Sequence, residues 1–143
     1  MNIPGRILAL DYGTKKVGVA ITDPLQITAS PLTTLRYQSQ DDLLNQIREI
    51  LEAQEVVEII IGVPVTLSGG ESQFTKAVRA FIDWFTGQVD LPVHTLDERF
   101  TTKDAKSTLV EMGVRTGHNK DRVDSMAASH LLRFYLDIKE EKS

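Results

Sequence analysis

The run Val56-Val57-Glu58-Ile59-Ile60-Ile61-Gly62-Val63 constrains the fold more than any other segment. It is nearly continuous, β-branched and closed by Pro64. A strand with one face in water alternates apolar and polar residues, whereas a run without alternation must be covered on both faces. That pattern predicts a fully buried strand in parallel pairing. The flanking segments supply the cover. Leu43, Leu44, Ile47, Ile50 and Leu51 follow helical spacing, with Ser39 or Asp41 available as cap. Phe74, Ala77, Val78, Phe81, Ile82 and Phe85 form a second helical stripe, opened by Ser72 and stopped at Gly87.

The first third of the chain reads differently. Residues 6–11 predict a buried strand, and Gly13 with Lys15-Lys16 a turn. Residues 17–22 alternate with period two. Residues 28–35 predict an edge strand, because Pro31 cannot donate to a ladder. Beyond the second helix, residues 91–97 predict a strand. A helix follows, capped by Thr101 or Thr102 with Asp104 completing a capping box, and ended by Gly113. A last helix is expected from about Asp121 to Asp137, with Lys139–Ser143 frayed. The order βββαβαβα plus a final helix predicts an α/β fold. Its mixed five-stranded sheet has three antiparallel strands, then parallel additions, with helices on both faces. A length of 143 residues suits one domain over 1–143.

Composition narrows the chemistry. There are no cysteines, so disulfides and thiolate metal sites are excluded. No apolar run reaches membrane-spanning length and no signal peptide is visible at the start, so a cytoplasmic location without membrane partners is expected. The formal net charge of -4 argues against a general nucleic-acid coating protein but not against a nuclease, whose clustered carboxylates lower the total.

Three acids stand at the ends of regular elements: Asp11 after Ile7-Leu8-Ala9-Leu10, Glu98 after Val93-His94-Thr95-Leu96, and Asp124 on the apolar stripe of the last helix. A carboxylate in such a place is costly unless its charge is compensated. Three in one small domain suggest a shared cation and metal-dependent chemistry on phosphate. Each has a plainer reading. Asp11 could be a turn acid accepting from backbone amides. Asp97 and Glu98 could favour the dipole of a following helix. Asp124 could be an acid of a first helical turn. Gly13 lets the backbone turn tightly, and Thr14 and Lys15 can donate to phosphate oxygens. Lys15, Lys16, Arg99, Lys103, Lys106, Arg115, His118, Lys120 and Arg122 could form a basic rim. It would hold about half of the 16 Lys and Arg residues. Singly, each is more often a solvated side chain. Trp84 and the Phe residues of its helix read as core or near-core.

The segments Ile7-Leu8-Ala9-Leu10-Asp11-Tyr12-Gly13-Thr14-Lys15, Val17-Gly18-Val19-Ala20, Ile61-Gly62-Val63-Pro64, Asp97-Glu98-Arg99-Phe100-Thr101-Thr102-Lys103-Asp104-Ala105 and Val123-Asp124-Ser125-Met126-Ala127-Ala128 occur in the order and spacing of a known family. The chain resembles the YqgF (RuvX) family from about Arg6 to Leu136. The resemblance implies an RNase H-like fold related to the Holliday-junction resolvase RuvC. Its members are described as nucleases of pre-16S ribosomal RNA, which implies a role in ribosome biogenesis. By resemblance, Asp11, Glu98 and Asp124 form the acidic triad, with Asp97 a candidate fourth ligand. Thr14, Lys15, Arg99, Thr101, Thr102, Lys120 and Arg122 become candidate substrate contacts. One departure stands out: where many members carry an Asn-Met-Asp-Gly-like loop after Gly62-Val63-Pro64, this chain has Val65-Thr66-Leu67-Ser68-Gly69-Gly70.

The expectation is therefore a metal-dependent endonuclease processing the 5′ end of pre-16S rRNA, with two Mg²⁺ or Mn²⁺ ions. Its expected partners are structured RNA or branched nucleic acid, and ribosomal particles. The alternatives are a Holliday junction resolvase-like DNA nuclease and a non-catalytic RNA-binding module. A nucleotide-dependent phosphotransferase would need two such domains, and no second Asp-x-Gly segment occurs. No dimerisation stripe is evident, so a monomer or weak dimer is expected.

Overall fold

The computed structural model describes residues 3–13, 15–64, 72–98 and 120–142, and in the last segment side chains from Ser125 to Glu140. Strands β1 (Arg6–Tyr12), β2 (Lys16–Thr22) and β3 (Ala29–Arg36) come first. Helix α1 (Gln40–Ala53), β4 (Val56–Val63), α2 (Gln73–Thr86) and β5 (Val93–Asp97) follow, and α3 (Lys120–Lys142) closes the order. The helix expected over 101–112 lies outside the described residues.

The five strands form one sheet in the order β3-β2-β1-β4-β5. β1 pairs antiparallel with β2, and β2 with β3. β4 pairs parallel with both β1 and β5. This is the mixed sheet the sequence predicts. β3 takes the edge, and its Pro31 stands opposite Ala20 beside a register shift.

The nearly continuous apolar run of β4 is buried from Ile59 to Val63, whereas Val57 at its start is exposed. Ile59 and Ile61 pack with Leu43, Ile47, Phe81 and Phe85 of α1 and α2. Ile60 faces the other way, against Ala128, Leu131 and Leu132 of α3. β1 divides in the same manner: Leu8 and Leu10 join the first cluster, Ile7 and Ala9 the second. Helices therefore lie on both faces.

Ends follow local chemistry. Ser39 caps α1 by accepting from the Asp42 amide, and Ser72 with Thr75 forms a reciprocal capping box on α2. Gly87 ends α2 in a right-handed conformation (φ -78), so its lack of a β-carbon is not what stops the helix. The expectation of a frayed tail is corrected, because α3 continues to Lys142. Lys139 Nζ donates to Glu58 Oε1 at 3.1 Å and to Gln26 Oε1 at 3.3 Å, which anchors that last turn on the sheet.

Candidate active site

Asp11 belongs to β1 itself, opposite Gly18 of β2, and not to the turn that follows. Side chains alternate along a strand. Ile7 and Ala9 face α3, so Asp11 faces the same side. The parallel ladder pairs Leu10 with Ile61, which brings Asp11 level with Gly62 on β4. Gly62 stands two residues after Ile60, also on the α3 side. β5 pairs Gly62 with Leu96 and Val63 with Asp97, and Glu98 follows directly.

The strand order now matters. β4 lies between β1 and β5, and strands two positions apart are separated by roughly 10 Å. Acids from β1 and from the end of β5 can meet only above β4. Glu98 reaches across: a β-carbon at Gly62 would stand 2.6 Å from Glu98 Cγ and Cδ and 2.7 Å from Oε1. No side chain at position 62 is compatible with that path. Sequence reasoning did not single out Gly62 as a site residue. The available signal was a glycine interrupting a β-branched run, which marks close approach of another group.

Glu98 is 7% exposed and hydrogen-bonded to Asp11. Burial is the main reason its carboxyl is pushed up to about 10. The hydrogen bond to Asp11, the Asp11 charge and the Asp97 charge add to the shift. Two carboxyl groups this close cannot both be ionised without a compensating cation, so without a cation they share a proton. Glu98 Oε1 is buried and accepts no hydrogen bond among the described residues, while the carboxyl as a whole is bonded to Asp11. The donors are carboxylate oxygens, the hard ligands that Mg²⁺ and Mn²⁺ prefer. Asp11 and Glu98 thus fit a divalent cation in donor chemistry and charge.

The third expected acid comes from α3. The Lys139 end of this helix meets Glu58 in the first half of β4, so α3 runs antiparallel to β4. Its first turns, with the Asp124 backbone, lie toward the sheet end that carries Asp11 and Gly62. Buried Ala127 and Ala128 bring the helix close to the sheet. The Asp124 side chain lies outside the described residues, as do those of Lys120 and Arg122. Consistent with this, no group of three His, Asp or Glu is assembled among the described residues. Lys15 is exposed in the β1–β2 turn and Lys16 opens β2. Thr14, Arg99, Thr101, Thr102, Lys103, Lys106, Arg115, His118 and the 65–71 loop fall outside the described residues.

The family model described as "RuvX: Holliday junction resolvase" matches residues 5–138. The chain belongs to the RuvX family. A relative from Koribacter versatilis, named "Putative pre-16S rRNA nuclease", is 39% identical over 135 residues, covering 94% of this chain and 88% of the relative. A relative of the same name from Moorella thermoacetica is 39% identical over 132 residues, covering 92% of this chain and 94% of the relative. Among solved structures, Thermus thermophilus RuvC in complex with a Holliday junction substrate superposes with a TM-score of 0.54 at 13% identity, over 94% of this RuvX chain and 96% of RuvC. Fowlpox virus resolvase with Holliday junction DNA gives a TM-score of 0.57 at 13% identity, over 92% of this chain and 97% of that one. These likenesses show the RuvC-like, RNase H-like fold. No helix among the described residues is long and apolar enough to cross a membrane.

Proposed function

We propose that this RuvX chain is a divalent-metal-dependent endonuclease that processes the 5′ end of pre-16S rRNA. It works as one domain over 1–143, in the cytoplasm and in contact with ribosomal particles. The single observation that carries the reading is the Asp11–Glu98 carboxyl pair held over Gly62. Asp11, Glu98 and Asp124 would hold two Mg²⁺ or Mn²⁺ ions, with Asp97 beside them. Bound there, the metal supplies an activated water and charge stabilisation at the leaving oxygen.

The chain's own residues do the rest. Asp11 and Glu98 would hold the cation as carboxylates, releasing their shared proton to solvent. The buried position of Glu98 lowers the dielectric around its carboxyl, which would strengthen its hold on a cation. Thr14, Lys15, Arg99, Thr101, Thr102, Lys120 and Arg122 would seat the phosphate backbone. Such contacts position a substrate without reading its bases, so specificity would follow nucleic-acid shape.

The second reading is cleavage of branched DNA, favoured by the likeness to resolvases bound to Holliday junctions. One experiment separates the two. Wild type and Asp11→Asn are incubated with a labelled pre-16S 5′ segment and, in parallel, a four-way DNA junction, each with Mn²⁺ or Mg²⁺. The proposal expects the RNA to be cut by wild type only, with RNA binding retained in Asp11→Asn. Cutting of the junction alone would replace RNA by DNA. RNA bound but never cut would leave a non-catalytic binding module.

A further inference from the structure

The turn that follows Asp11 is held by a residue from a distant part of the chain. Tyr37, just past β3, donates its hydroxyl to the Gly13 carbonyl at 2.5 Å. Its backbone N–H donates to the Lys15 carbonyl at 3.3 Å. The same hydroxyl is hydrogen-bonded to Tyr12. Burial and Tyr12 raise its pKa above the ordinary tyrosine value, so it stays protonated through the neutral range.

The Tyr37 ring stacks with Tyr12 at 6.3 Å between centroids, and Tyr12 stacks on buried Phe81 at 4.4 Å. Tyr37 is itself framed by α1, where Gln46 Nε2 donates to the Arg36 carbonyl at 2.8 Å and Ser39 caps the helix. The turn has little slack, since a β-carbon on Gly13 would meet the Lys16 carbonyl at 2.5 Å.

A backbone carbonyl facing a phosphodiester presents the negative end of its dipole. In this turn the Gly13 and Lys15 carbonyls are both engaged by Tyr37. We propose that Tyr37 is a positioning residue that fixes Gly13 and Lys15 with their carbonyls withdrawn, leaving the exposed Lys15 side chain for the substrate phosphate. It touches neither substrate nor metal and acts through Gly13 and Lys15. The inference rests on the nuclease reading for its substrate, an RNA phosphodiester, and on the described geometry for everything else.

Tyr37→Phe is the decisive variant, because it keeps the stacked ring and removes only the hydroxyl. Calorimetry should show unchanged Mn²⁺ affinity. Hydrogen exchange at the Lys15 and Lys16 amides should quicken. The single-turnover cleavage rate of the pre-16S segment should fall by about 10- to 100-fold, the scale expected when a positioned group moves by about 1 Å. Wild-type cleavage in Tyr37→Phe would overturn the proposal. So would a matching loss of Mn²⁺ affinity, which would mark general damage to the acidic pair. If wild type itself leaves the RNA uncut, the nuclease reading fails separately. Tyr37 is then judged by RNA affinity in Ca²⁺: binding about 10-fold weaker in Tyr37→Phe upholds the role, and equal affinity overturns it.

Discussion

Glu98 occupies the space that a side chain on Gly62 would need, with its Cγ and Cδ 2.6 Å from where that β-carbon would stand. The stretch Ile59–Val63, buried on both faces, has been left open at one point, and an acid from the neighbouring strand end fills the opening. Gly62→Ala should therefore act on Glu98 first. Overpacking of this kind costs about 1–3 kcal/mol of stability. Cleavage should fall by about 100-fold or more, since a displaced ligand loses charge stabilisation at the reacting phosphate. Denaturant titration beside Mn²⁺ calorimetry checks both. A folded Gly62→Ala protein with wild-type Mn²⁺ affinity would remove Gly62 from the site.

The raised Glu98 carboxyl makes the metal-free protein sensitive to pH in a defined direction. Its folded pKa of about 10 lies above the ordinary value of 4.5. The folded state therefore binds the proton more tightly than the unfolded chain does. The stability this contributes is fully present below about pH 4.5 and is lost as pH rises toward about 10. The denaturation midpoint in chelator should fall between about pH 5 and about pH 9. Glu98→Gln should flatten that slope, because the amide carries no titrating proton. Saturating Mn²⁺ should oppose the loss, since a cation takes the proton's place. A midpoint that climbs with pH in chelator would contradict the shared-proton pair.

Tyr135 and Glu58 fasten the far end of α3. The Tyr135 hydroxyl donates to Glu58 Oε2, and the Glu58 side chain is only 13% exposed. Tyr135→Phe removes a part-buried hydrogen bond to a carboxylate, which costs about 1–3 kcal/mol. Because this contact lies at the opposite end of β4 from Gly62, cleavage at a temperature well below the new Tm should stay within about twofold of wild type. Thermal denaturation and initial cleavage rates, taken together, check it.

Thr75 closes the junction between β4 and α2. Its hydroxyl donates to the Pro64 carbonyl, and it accepts from the Ser72 amide at 3.3 Å. Thr75→Val keeps the shape and removes both of these bonds together with the hydroxyl–hydroxyl bond to Ser72 at 3.1 Å. With the residue fully buried, the expected cost is about 1–3 kcal/mol. Urea denaturation should show the lowered midpoint with an unchanged slope. A shift much below that range would mean that water replaces the lost partners.

Much of the framework was legible in the chain. The nearly continuous run Val56–Val63 announced a strand covered on both faces, and from Ile59 onward it is, with Ile59 and Ile60 pointing to opposite helical layers; at its start Val57 is exposed. Ser72, the stripe of α2 and the edge position of the Pro31 strand were equally readable, because caps and periodicities are set by neighbours in sequence. So was the presence of carboxylates at strand ends. The length of α3 was misread, because Lys139–Lys142 looks like a solvated charged tail. Nothing local in that tail records that Glu58 on β4 and Gln26 in the β2–β3 connection wait for Lys139.

The tertiary structure decided which residues meet. Sequence alone placed Asp11 and Glu98 at element ends; it did not place β4 between their strands. Only that order makes Glu98 cross β4 to reach Asp11, and only then does Gly62 become the residue that permits the crossing. Tyr37 carries no sequence signal at all, since its partners Gly13 and Lys15 come from another connection. Spacing along a chain fixes which face a side chain takes. Which faces come together depends on strand order, and that is settled by burying the whole core at once.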